Sequence, residues 1–384
     1  MKKIWKFLSY ILVAVLSSAM TFGVIYSAFT PAMMKMVQLE NLIQQKFIGE
    51  FDETVITDAA AEELVDSLGD RWSYYMSASD YEAYLEQMAN AYVGVGITIQ
   101  VMEDGSGFQI LQVTEGGPAE EAGILAGDIL VGVEGQSVAG WTTSEVRDLV
   151  KGQEGTFVQM TVLRGGEEVI LSVERRSIQT PVAHAVMLEG NIGLVSIVNF
   201  DSRCAQETIA AIQEMVDQGA QALIFDVRYN PGGYAHELVK VLDYLLPEGE
   251  LFRKVDYAGN EEVDMSDASC LEMPMAVLVN GDSYSAAEFF AAALREYDYA
   301  VVVGEQTVGK GYFQRSYALV DGSAVGLSVG KYYTPNGVSL SEAGGITPDI
   351  PVSVTEEEAF GIYAGTLDPM EDPQILAAME ALSK

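Results

Sequence analysis

Histidine is scarce in this chain, and its scarcity limits how the chain could catalyse a reaction. Among 384 residues, only His184 and His236 are histidines. Histidine is the usual general base beside a serine, threonine or cysteine nucleophile, because its pKa lies close to neutral. A hydrolase of this composition has few ways to build a serine–histidine pair, so a lysine base has to be considered first.

Cysteine is equally scarce, with Cys204 and Cys270 as the only two. The thiols could pair if the chain is exported. Nothing in the sequence brings them together, however, so we expect two isolated core residues. The sequence also shows no motif for a metal or a nucleotide, and we therefore expect the protein to work without a metal or a cofactor.

Basic residues are few, with 21 lysines and arginines against 56 acidic residues and a net charge of −35. Phosphate binding needs clustered basic side chains. Nucleic acid is therefore excluded as a partner, and so is adhesion to an anionic membrane surface. Apolar residues make up 49% of the chain, which is enough for a substantial core. The length predicts two or three globular units.

The first 31 residues differ in kind from the rest. Lys2, Lys3 and Lys6 precede an uncharged run at 7–29, which as a helix would be roughly 35 Å long and could cross a hydrocarbon core of about 30 Å. Positive charge on the N-terminal side places that end in the cytoplasm. We expect residues 1–31 to be a transmembrane signal anchor of a single-pass cell-membrane protein. A cleaved signal peptide, which would give a secreted protein, is the alternative.

Beyond the anchor, changes in the hydrophobic pattern predict four further segments. Apolar residues recur every three to four positions in 32–91, which predicts helices. Short strands with one or two helices fill 92–176, whereas strands and helices alternate in 177–353 as in an α/β fold, with the candidate loops at strand ends. The acidic tail, 354–384, ends in a predicted helix. The fold class is therefore multidomain α+β.

Within 92–176, three glycine-containing motifs follow one another: GVGI at 94–97, GPAEEAG at 117–123 and AGDIL at 126–130. In this order they resemble a PDZ domain of the bacterial type. Glycines let backbone N–H groups converge on a carboxylate, and the strand that follows can pair with an extended peptide. The alternative is a glycine-rich turn that binds nothing. The resemblance implies that the loop binding a C-terminal carboxylate consists of Gly94, Val95, Gly96 and Ile97.

Four further motifs occupy the second half of the chain: DVRYNPGG at 226–233, GDSYSAAE at 281–288, GEQTVGKGYFQ at 304–314 and GGITPD at 344–349. With the inserted PDZ-like stretch, they resemble the C-terminal processing peptidases, also called tail-specific proteases. The resemblance covers nearly everything after the anchor. It implies a crotonase-like α/β protease core and a Ser-Lys dyad. It also implies substrate proteins with flexible C-termini, cleaved outside the cytoplasm.

The same resemblance assigns roles to individual residues. It makes Ser285 the nucleophile, Lys310 the general base, and Gln314 the residue that assists the lysine. Tyr284 departs from the family pattern, because a small residue is usual there, and this leaves substrate preference open. If residues 310–314 are extended, positions 310, 312 and 314 share one face.

An acyl-transfer intermediate also needs backbone donors for its oxyanion. The N–H of Ala286 is one candidate, because it would start a helix. The resemblance implies that the second donor is Gly232 or Gly233. A lysine base must also be neutral, and lowering its pKa by about three units from 10.4 requires roughly 4 kcal/mol. Burial can supply this destabilisation of the ammonium form, whereas the net negative charge opposes it.

Three alternatives remain at the level of sequence. Ser285 and Glu288 fit a capping box, so the serine could serve only to cap a helix. The chain could be a binding protein that presents C-termini without cleaving them. A hydrolase could instead pair Ser285 with His236, although we expect His236 to be solvated and His184 to be structural. The helices at both ends of the chain could also support a homo-oligomer.

Overall fold

The computed structural model describes Trp5 and residues 30–102, 104–114 and 116–383. The chain divides into two compact units, with the boundary between Glu63 and Leu64. The expected membrane anchor at 7–29 lies outside the described residues. Among the residues that are described, no helix is long and apolar enough to cross a membrane.

The N-terminal segment is helical as predicted, apart from one strand. Its elements are helix α1 (Pro31–Lys46), helix α2 (Glu53–Asp66), strand β1 (Tyr74–Met76) and helix α3 (Ala78–Met88). Thr30 caps α1 by accepting the N–H of Met33 at 3.2 Å, as an N-cap threonine does. The expectation of helices alone is wrong at β1, where aromatic residues favour a strand and pair with a distant strand of the core.

The next segment has its own sheet and its own hydrophobic core. Its elements are β2 (Ala91–Gly94), β3 (Ile97–Val101), β4 (Phe108–Val113), α4 (Pro118–Glu121), β5 (Ile129–Val133), β6 (Gln136–Ser137), α5 (Thr143–Val150), β7 (Phe157–Arg164), β8 (Glu167–Glu174) and β9 (Arg176–Gln179). The sheet runs β3-β4-β5-β7-β8 with β6 on β5. Strands β2 and β9 pair separately where the chain enters and leaves this segment.

A mixed α/β core follows. Its elements are β10 (Ala183–Leu188), β11 (Ile192–Ile197), α6 (Cys204–Asp217), β12 (Ala222–Asp226), α7 (Ala235–Leu245), β13 (Gly249–Asp256), β14 (Glu261–Ser266), β15 (Met275–Val279), α8 (Ala286–Glu296), β16 (Ala300–Gly304), β17 (Tyr312–Ala318), β18 (Ala324–Tyr333), α9 (Leu340–Ala343), β19 (Ile350–Pro351), α10 (Glu356–Ala364) and α11 (Pro373–Leu382). The alternation predicted from sequence is confirmed for β11, β12, β15, β16 and the helices between them.

Two sheets organise this core. The first runs β10-β11-β12-β15-β16-β19 and is parallel except for β10. The second is antiparallel, in the order β1-β18-β13-β14 with β17 on β18. Residues of α6, α7 and α8 form one buried cluster with the first sheet. The predicted C-terminal helix is confirmed as α11, whose residues Ile375 and Ala378 pack in a second cluster with β11, β12 and β15.

The carboxyl ends of neighbouring parallel strands position the motifs. Strand β12 leads into the turn at 230–233, β15 into the turn at 281–285, and β16 into the loop at 305–311. Since β12, β15 and β16 are adjacent and parallel, all three motifs leave the sheet at the same edge, where open α/β sheets commonly place their sites.

Candidate active site

Ser285 occupies a strained turn between β15 and α8. Its backbone has φ 58° and ψ −123°, a conformation that non-glycine residues rarely adopt and that is concentrated at functional sites. The buried Ser283 holds the turn, because its hydroxyl donates to the Val227 carbonyl at 2.7 Å and accepts the N–H of Asn280 at 3.0 Å. The strain therefore rests on a rigid, hydrogen-bonded support.

The glycine turn at 230–233 lies directly against the serine turn. The N–H of Tyr284 donates to the Asn230 carbonyl at 3.1 Å. A Cβ added to Gly232, which has φ 89°, would lie 2.8 Å from the Cβ of Ser285 and 2.9 Å from the amide nitrogen of Ala286. Only glycine fits this approach, since any side chain would displace the nucleophile's backbone.

The structure separates the two glycines predicted as oxyanion donors. The N–H of Gly232 already donates to the side-chain oxygen of Asn230 at 2.8 Å, which removes it as a donor in this conformation. Within the described part of the chain, the N–H groups of Gly233 and Ala286 have no hydrogen-bond partner. Ala286 is also the first residue of α8, where the helix dipole favours negative charge.

Glu288 connects the serine segment with the lysine segment. Its side chain is fully buried. One carboxylate oxygen, Oε2, accepts the backbone N–H groups of Ser285 at 2.9 Å and Lys310 at 2.8 Å. The other, Oε1, accepts the N–H of Gly309 at 2.7 Å and the hydroxyl of Thr307 at 2.5 Å. Four hydrogen bonds thus compensate the burial of this charge.

The lysine loop is held in turn by the GGITPD motif. Thr307 accepts the N–H of Ile346 at 2.7 Å. A Cβ on Gly309 would lie 2.8 Å from the amide nitrogen of Gly345. The fourth motif therefore supports the third, and all four sequence motifs meet in one place.

Lys310 places its amine among aromatic rings. Its Nζ lies 5.1 Å from the ring centroid of Trp72 and 5.5 Å from that of Tyr284. Burial lowers the pKa of Lys310, while the carboxylates of Glu288 and Asp70 act in the opposite direction. Within the described residues, the amine makes no hydrogen bond or ion pair with another side chain. The direction of the pKa change is the one a general base requires.

Gln314 does not lie on a regular strand face with Lys310. Strand β17 begins only at Tyr312, and its register shifts between Phe313 and Gln314. An extended segment over 310–314, the condition for positions 310, 312 and 314 to share a strand face, is present only from Tyr312 onward, although Lys310, Tyr312 and Gln314 line the same cleft. The side-chain amide of Gln314 donates to the hydroxyl of Ser328 at 3.1 Å and to the Tyr312 carbonyl at 3.3 Å.

A cleft of about 600 Å³ contains Ser285, Lys310 and Gln314 together. Its wall is largely aromatic, and Arg71 and Lys310 are its only charged lining residues among those described. The lining comprises Arg71, Trp72, Tyr74, Tyr81, Tyr84, Leu85, Met88, Pro231, Gly232, Gly233, Tyr234, Ala235, Leu238, Phe252, Tyr284, Ser285, Ala286, Phe289, Lys310, Tyr312, Phe313, Gln314, Ser316 and Tyr332.

Neither histidine lines this cleft. His236 is largely exposed and stacks beside Tyr234, while His184 is exposed on strand β10. The cysteines are free thiols, with Cys204 buried and Cys270 half-buried. The described residues also contain no cluster of metal-binding side chains.

The glycine loop at 94–97 precedes β3, which is the edge strand of its sheet. The carbonyls of Val95 and Gly96 accept the N–H groups of Ala119 and Thr114, each at 2.9 Å. The N–H groups of Val95 and Gly96 have no partner within the described part of the chain. Free amides beside an open strand edge are what a bound peptide terminus requires.

Trp72 and Thr307 are parts of the site that the sequence reasoning missed. Trp72 belongs to the segment 32–91, for which the sequence predicts only helices, and no local pattern relates it to Lys310. Thr307 lies within the GEQTVGKGYFQ motif, but the sequence assigns it no role. Glu288 is predicted only as part of a capping box. The glutamate half of that box is present, because the N–H of Ser285 donates to Glu288 at 2.9 Å.

Comparisons with known proteins agree with this architecture. Residues 191–352 match the sequence model of Peptidase family S41, and residues 109–164 match that of a PDZ domain. The carboxy-terminal processing protease CtpA of Bacillus subtilis (strain 168) is 32% identical over 317 residues, which cover 82% of this chain and 67% of the relative. A probable CtpA-like serine protease of Staphylococcus aureus (strain COL) is 27% identical over 379 residues, covering 95% and 76%.

Among solved structures, one from Bacteroides fragilis NCTC 9343, named as an S41 protease, superposes with a TM-score of 0.54. It is 18% identical and covers 85% of this chain and 90% of its own, a similarity that bears on the fold alone. Fold, site and family matches define a serine-type peptidase with a PDZ domain. More particularly, the chain belongs to the C-terminal processing proteases of peptidase family S41.

Proposed function

We propose that this protein is a membrane-anchored extracytoplasmic endopeptidase that cleaves proteins near their C-termini, with Ser285 as nucleophile and Lys310 as general base. The main support is that both residues line one cleft and that their backbone N–H groups share one carboxylate oxygen of Glu288. This arrangement fixes two segments that are 25 positions apart in the sequence.

In the proposed reaction, neutral Lys310 takes the hydroxyl proton of Ser285 as the serine oxygen attacks the scissile carbonyl carbon. The negative charge that develops on the carbonyl oxygen is met by the N–H groups of Ala286 and Gly233. The lysine ammonium then gives its proton to the leaving amine, and an acyl-enzyme remains. Water, deprotonated by the same lysine, hydrolyses the ester and restores the serine.

The aromatic surroundings of Lys310 support the role of base. A lysine in water is almost entirely protonated at pH 7 and cannot accept a proton. Burial lowers the pKa of Lys310 against the opposing carboxylates of Glu288 and Asp70. Although the chain is strongly acidic, charges beyond about 8–10 Å are screened, so local burial outweighs the net charge.

Gln314 fits an indirect supporting role. Through the Ser328 hydroxyl its amide belongs to a chain of polar groups near the lysine. The Ser328 N–H donates to the Ser73 hydroxyl at 3.1 Å, and that hydroxyl donates to Asp70 at 2.6 Å. This chain holds Asp70, which acts electrostatically on Lys310.

The PDZ domain is proposed to capture the C-terminal end of the substrate. Support comes from the N–H groups of Val95 and Gly96, which have no partner among the described residues, and from the open edge of β3. A C-terminal carboxylate would accept the amides while the peptide extends the sheet. Peptides that end in a carboxamide should bind the PDZ domain less tightly than the corresponding free acids, since the carboxamide carries no charge. Equal affinity of the acid and amide forms for the Ser285→Ala chain would argue against this role.

The placement outside the cytoplasm rests on the basic residues before the uncharged run at 7–29. Positive charge flanking such a run orients it with its N-terminus in the cytoplasm. Protease added to intact cells should then degrade the part after residue 31. Protection in intact cells and digestion only after lysis would contradict the orientation, while release into the medium would favour the cleaved signal peptide.

The deciding experiment measures cleavage of an unfolded protein with an apolar C-terminus by the full chain. Ser285→Ala and Lys310→Ala should each lower kcat/KM by roughly a thousandfold or more. His236→Ala is the control and should retain activity. Activity that survives Lys310→Ala but not His236→Ala would favour a Ser-His hydrolase. Tight substrate binding without cleavage in any form would favour a binding protein.

A further inference from the structure

Arg71 contributes a positive charge to the lining of the cleft. It is exposed, lines the cleft that contains Ser285, and places its guanidinium carbon 4.3 Å from the ring centroid of Trp72. Within the described residues it makes no hydrogen bond or ion pair. This is unusual here, because acidic residues outnumber basic ones by 56 to 21.

The rest of the cleft is suited to a negative ligand. Its described lining contains no aspartate or glutamate, so a carboxylate that enters meets aromatic rings and the guanidinium of Arg71. Stacking on Trp72 restricts the guanidinium, whose planar fork can bind a carboxylate with two parallel hydrogen bonds. An arginine positioned in this way, with no hydrogen bond or ion pair among the described residues, can bind an external carboxylate.

The distance to the reaction centre follows from the shared tryptophan. The guanidinium carbon of Arg71 lies 4.3 Å from the ring centroid of Trp72, and the amine of Lys310 lies 5.1 Å from the same ring. An extended peptide advances about 3.3 Å per residue. A carboxylate bound by Arg71 would therefore belong to a residue within about three positions of the part of the peptide that faces the Lys310 amine.

We propose that Arg71 is a specificity-determining residue that binds a carboxylate of the substrate close to the scissile bond. The inference rests on the proposed function of the cleft. The carboxylate can come from an acidic side chain or from the C-terminus of a peptide whose end has entered the cleft. Both sources present the same chemistry, and the peptides below distinguish them.

Binding to the full chain carrying Ser285→Ala tests the proposal without requiring cleavage. Fluorescent octapeptides would carry either glutamate or glutamine at each position in turn, with a free or an amidated C-terminus. One glutamate position, or the free terminus, should improve affinity roughly five- to tenfold over its neutral counterpart. A gain from glutamate identifies a side chain as the ligand, and a gain from the free acid alone identifies the terminus.

Substitutions at Arg71 then assign the effect. In Arg71→Gln the affinity ratio between glutamate and glutamine peptides should fall to about one, and any preference for the free acid should fall to the part that the PDZ domain supplies. In Arg71→Glu a lysine-containing peptide should bind better than the glutamate peptide. Lys35→Glu is the matched control, because Lys35 is exposed on α1 and changes the net charge equally. It should preserve the preference.

The proposal would be overturned if Arg71→Gln reduced neither the preference for glutamate nor the preference for the free acid, or if the Ser285→Ala chain preferred no carboxylate at all. Either result leaves the proposed protease intact, since loss of cleavage in Ser285→Ala is measured separately. Selectivity due to Arg71 should also weaken between low and high salt, because exposed ion pairs are screened.

Discussion

Ser285 and Lys310 are joined through a single oxygen atom, because the backbone N–H groups of both donate to Oε2 of Glu288, at 2.9 and 2.8 Å. One buried carboxylate therefore sets the separation of the proposed nucleophile and base. It does so through the backbone, which leaves both side chains free for chemistry.

Replacing Glu288 by glutamine should damage both stability and turnover. Its two oxygens accept four hydrogen bonds. An amide nitrogen in place of either oxygen could not accept a hydrogen bond, so two donors would lose their partner. We expect a loss of about 2–4 kcal/mol in the free energy of unfolding and a fall in kcat of at least about tenfold. Chemical denaturation and steady-state kinetics measure the two effects.

A positioning role for Glu288 also predicts a change in the pH dependence of kcat/KM. Its carboxylate raises the pKa of Lys310, so Glu288→Gln should move the acid limb of kcat/KM to lower pH. A purely structural role would lower activity without moving the limb. Ser285→Ala is the control for folding and should unfold like the parent chain.

The pH dependence of cleavage should reflect a lysine whose pKa is lowered. Neutral lysine is the active form, so kcat/KM should rise with pH through the pKa of Lys310 and level off above it. Burial lowers that pKa, so the midpoint should lie below the usual value near 10.4. Asp70 opposes the change, and Asp70→Asn should therefore shift the midpoint to lower pH.

Asp282→Asn is a suitable comparison, because it removes the same charge, whereas the carboxylates that raise the pKa of Lys310 are Glu288 and Asp70. It should leave the midpoint in place. A midpoint at the ordinary lysine value, or one that responds equally to both substitutions, would contradict the assignment of Lys310 as the base.

The sequence predicted the parts of the site that follow one another along single loops. Ser285, Ala286 and the glycine turn lie after strands that were recognisable as apolar runs in an α/β alternation. The antiparallel strands β13, β14, β17 and β18 were not predicted, because their exposed polar and aromatic residues lack a clean period of two. The register shift between Phe313 and Gln314 was not predicted for the same reason.

Contacts between distant segments could not be predicted. Trp72 reaches Lys310 because β1 pairs with β18, which is about 250 positions away in the sequence. Nothing in the residues around Trp72 encodes that pairing. Glu288 shows a similar limit, since its bond to Ser285 follows from local spacing whereas its bonds to the lysine loop depend on the tertiary fold. The crotonase-like description of the core stays a prediction.

Lys310→Met should stabilise the fold while abolishing cleavage. The amine is buried among aromatic rings without a hydrogen-bond partner in the described structure, and its lowered pKa means that folding disfavours the proton. At any pH below the folded pKa, this costs about 1.4 kcal/mol for each unit of difference between the folded and unfolded pKa values. Methionine has a similar length and no charge, so that cost disappears.

The sign of the effect can be checked against pH. Because the unfolded chain keeps the proton to higher pH than the native chain, the parent protein gains stability as pH rises from the folded pKa of Lys310 towards 10.4. The advantage of Lys310→Met in thermal or urea unfolding should shrink over that range. An equal or lower stability of Lys310→Met at pH 7 would contradict the inferred burial penalty.

Gly232 and Gly259 offer a matched pair for testing the close approach beside the nucleophile. Both have positive φ, 89° and 82°, but a Cβ on Gly259 meets nothing within 4 Å, whereas one on Gly232 would press on Ser285 and Ala286. Each alanine substitution should cost about 1 kcal/mol from backbone conformation alone. Only Gly232→Ala should also lower kcat, by at least about a hundredfold, because a misplacement of about 1 Å is that costly. Unfolding and cleavage measured on both variants separate strain from displacement, and similar activities in the two would mean that the packing of Gly232 against the serine turn has no part in catalysis.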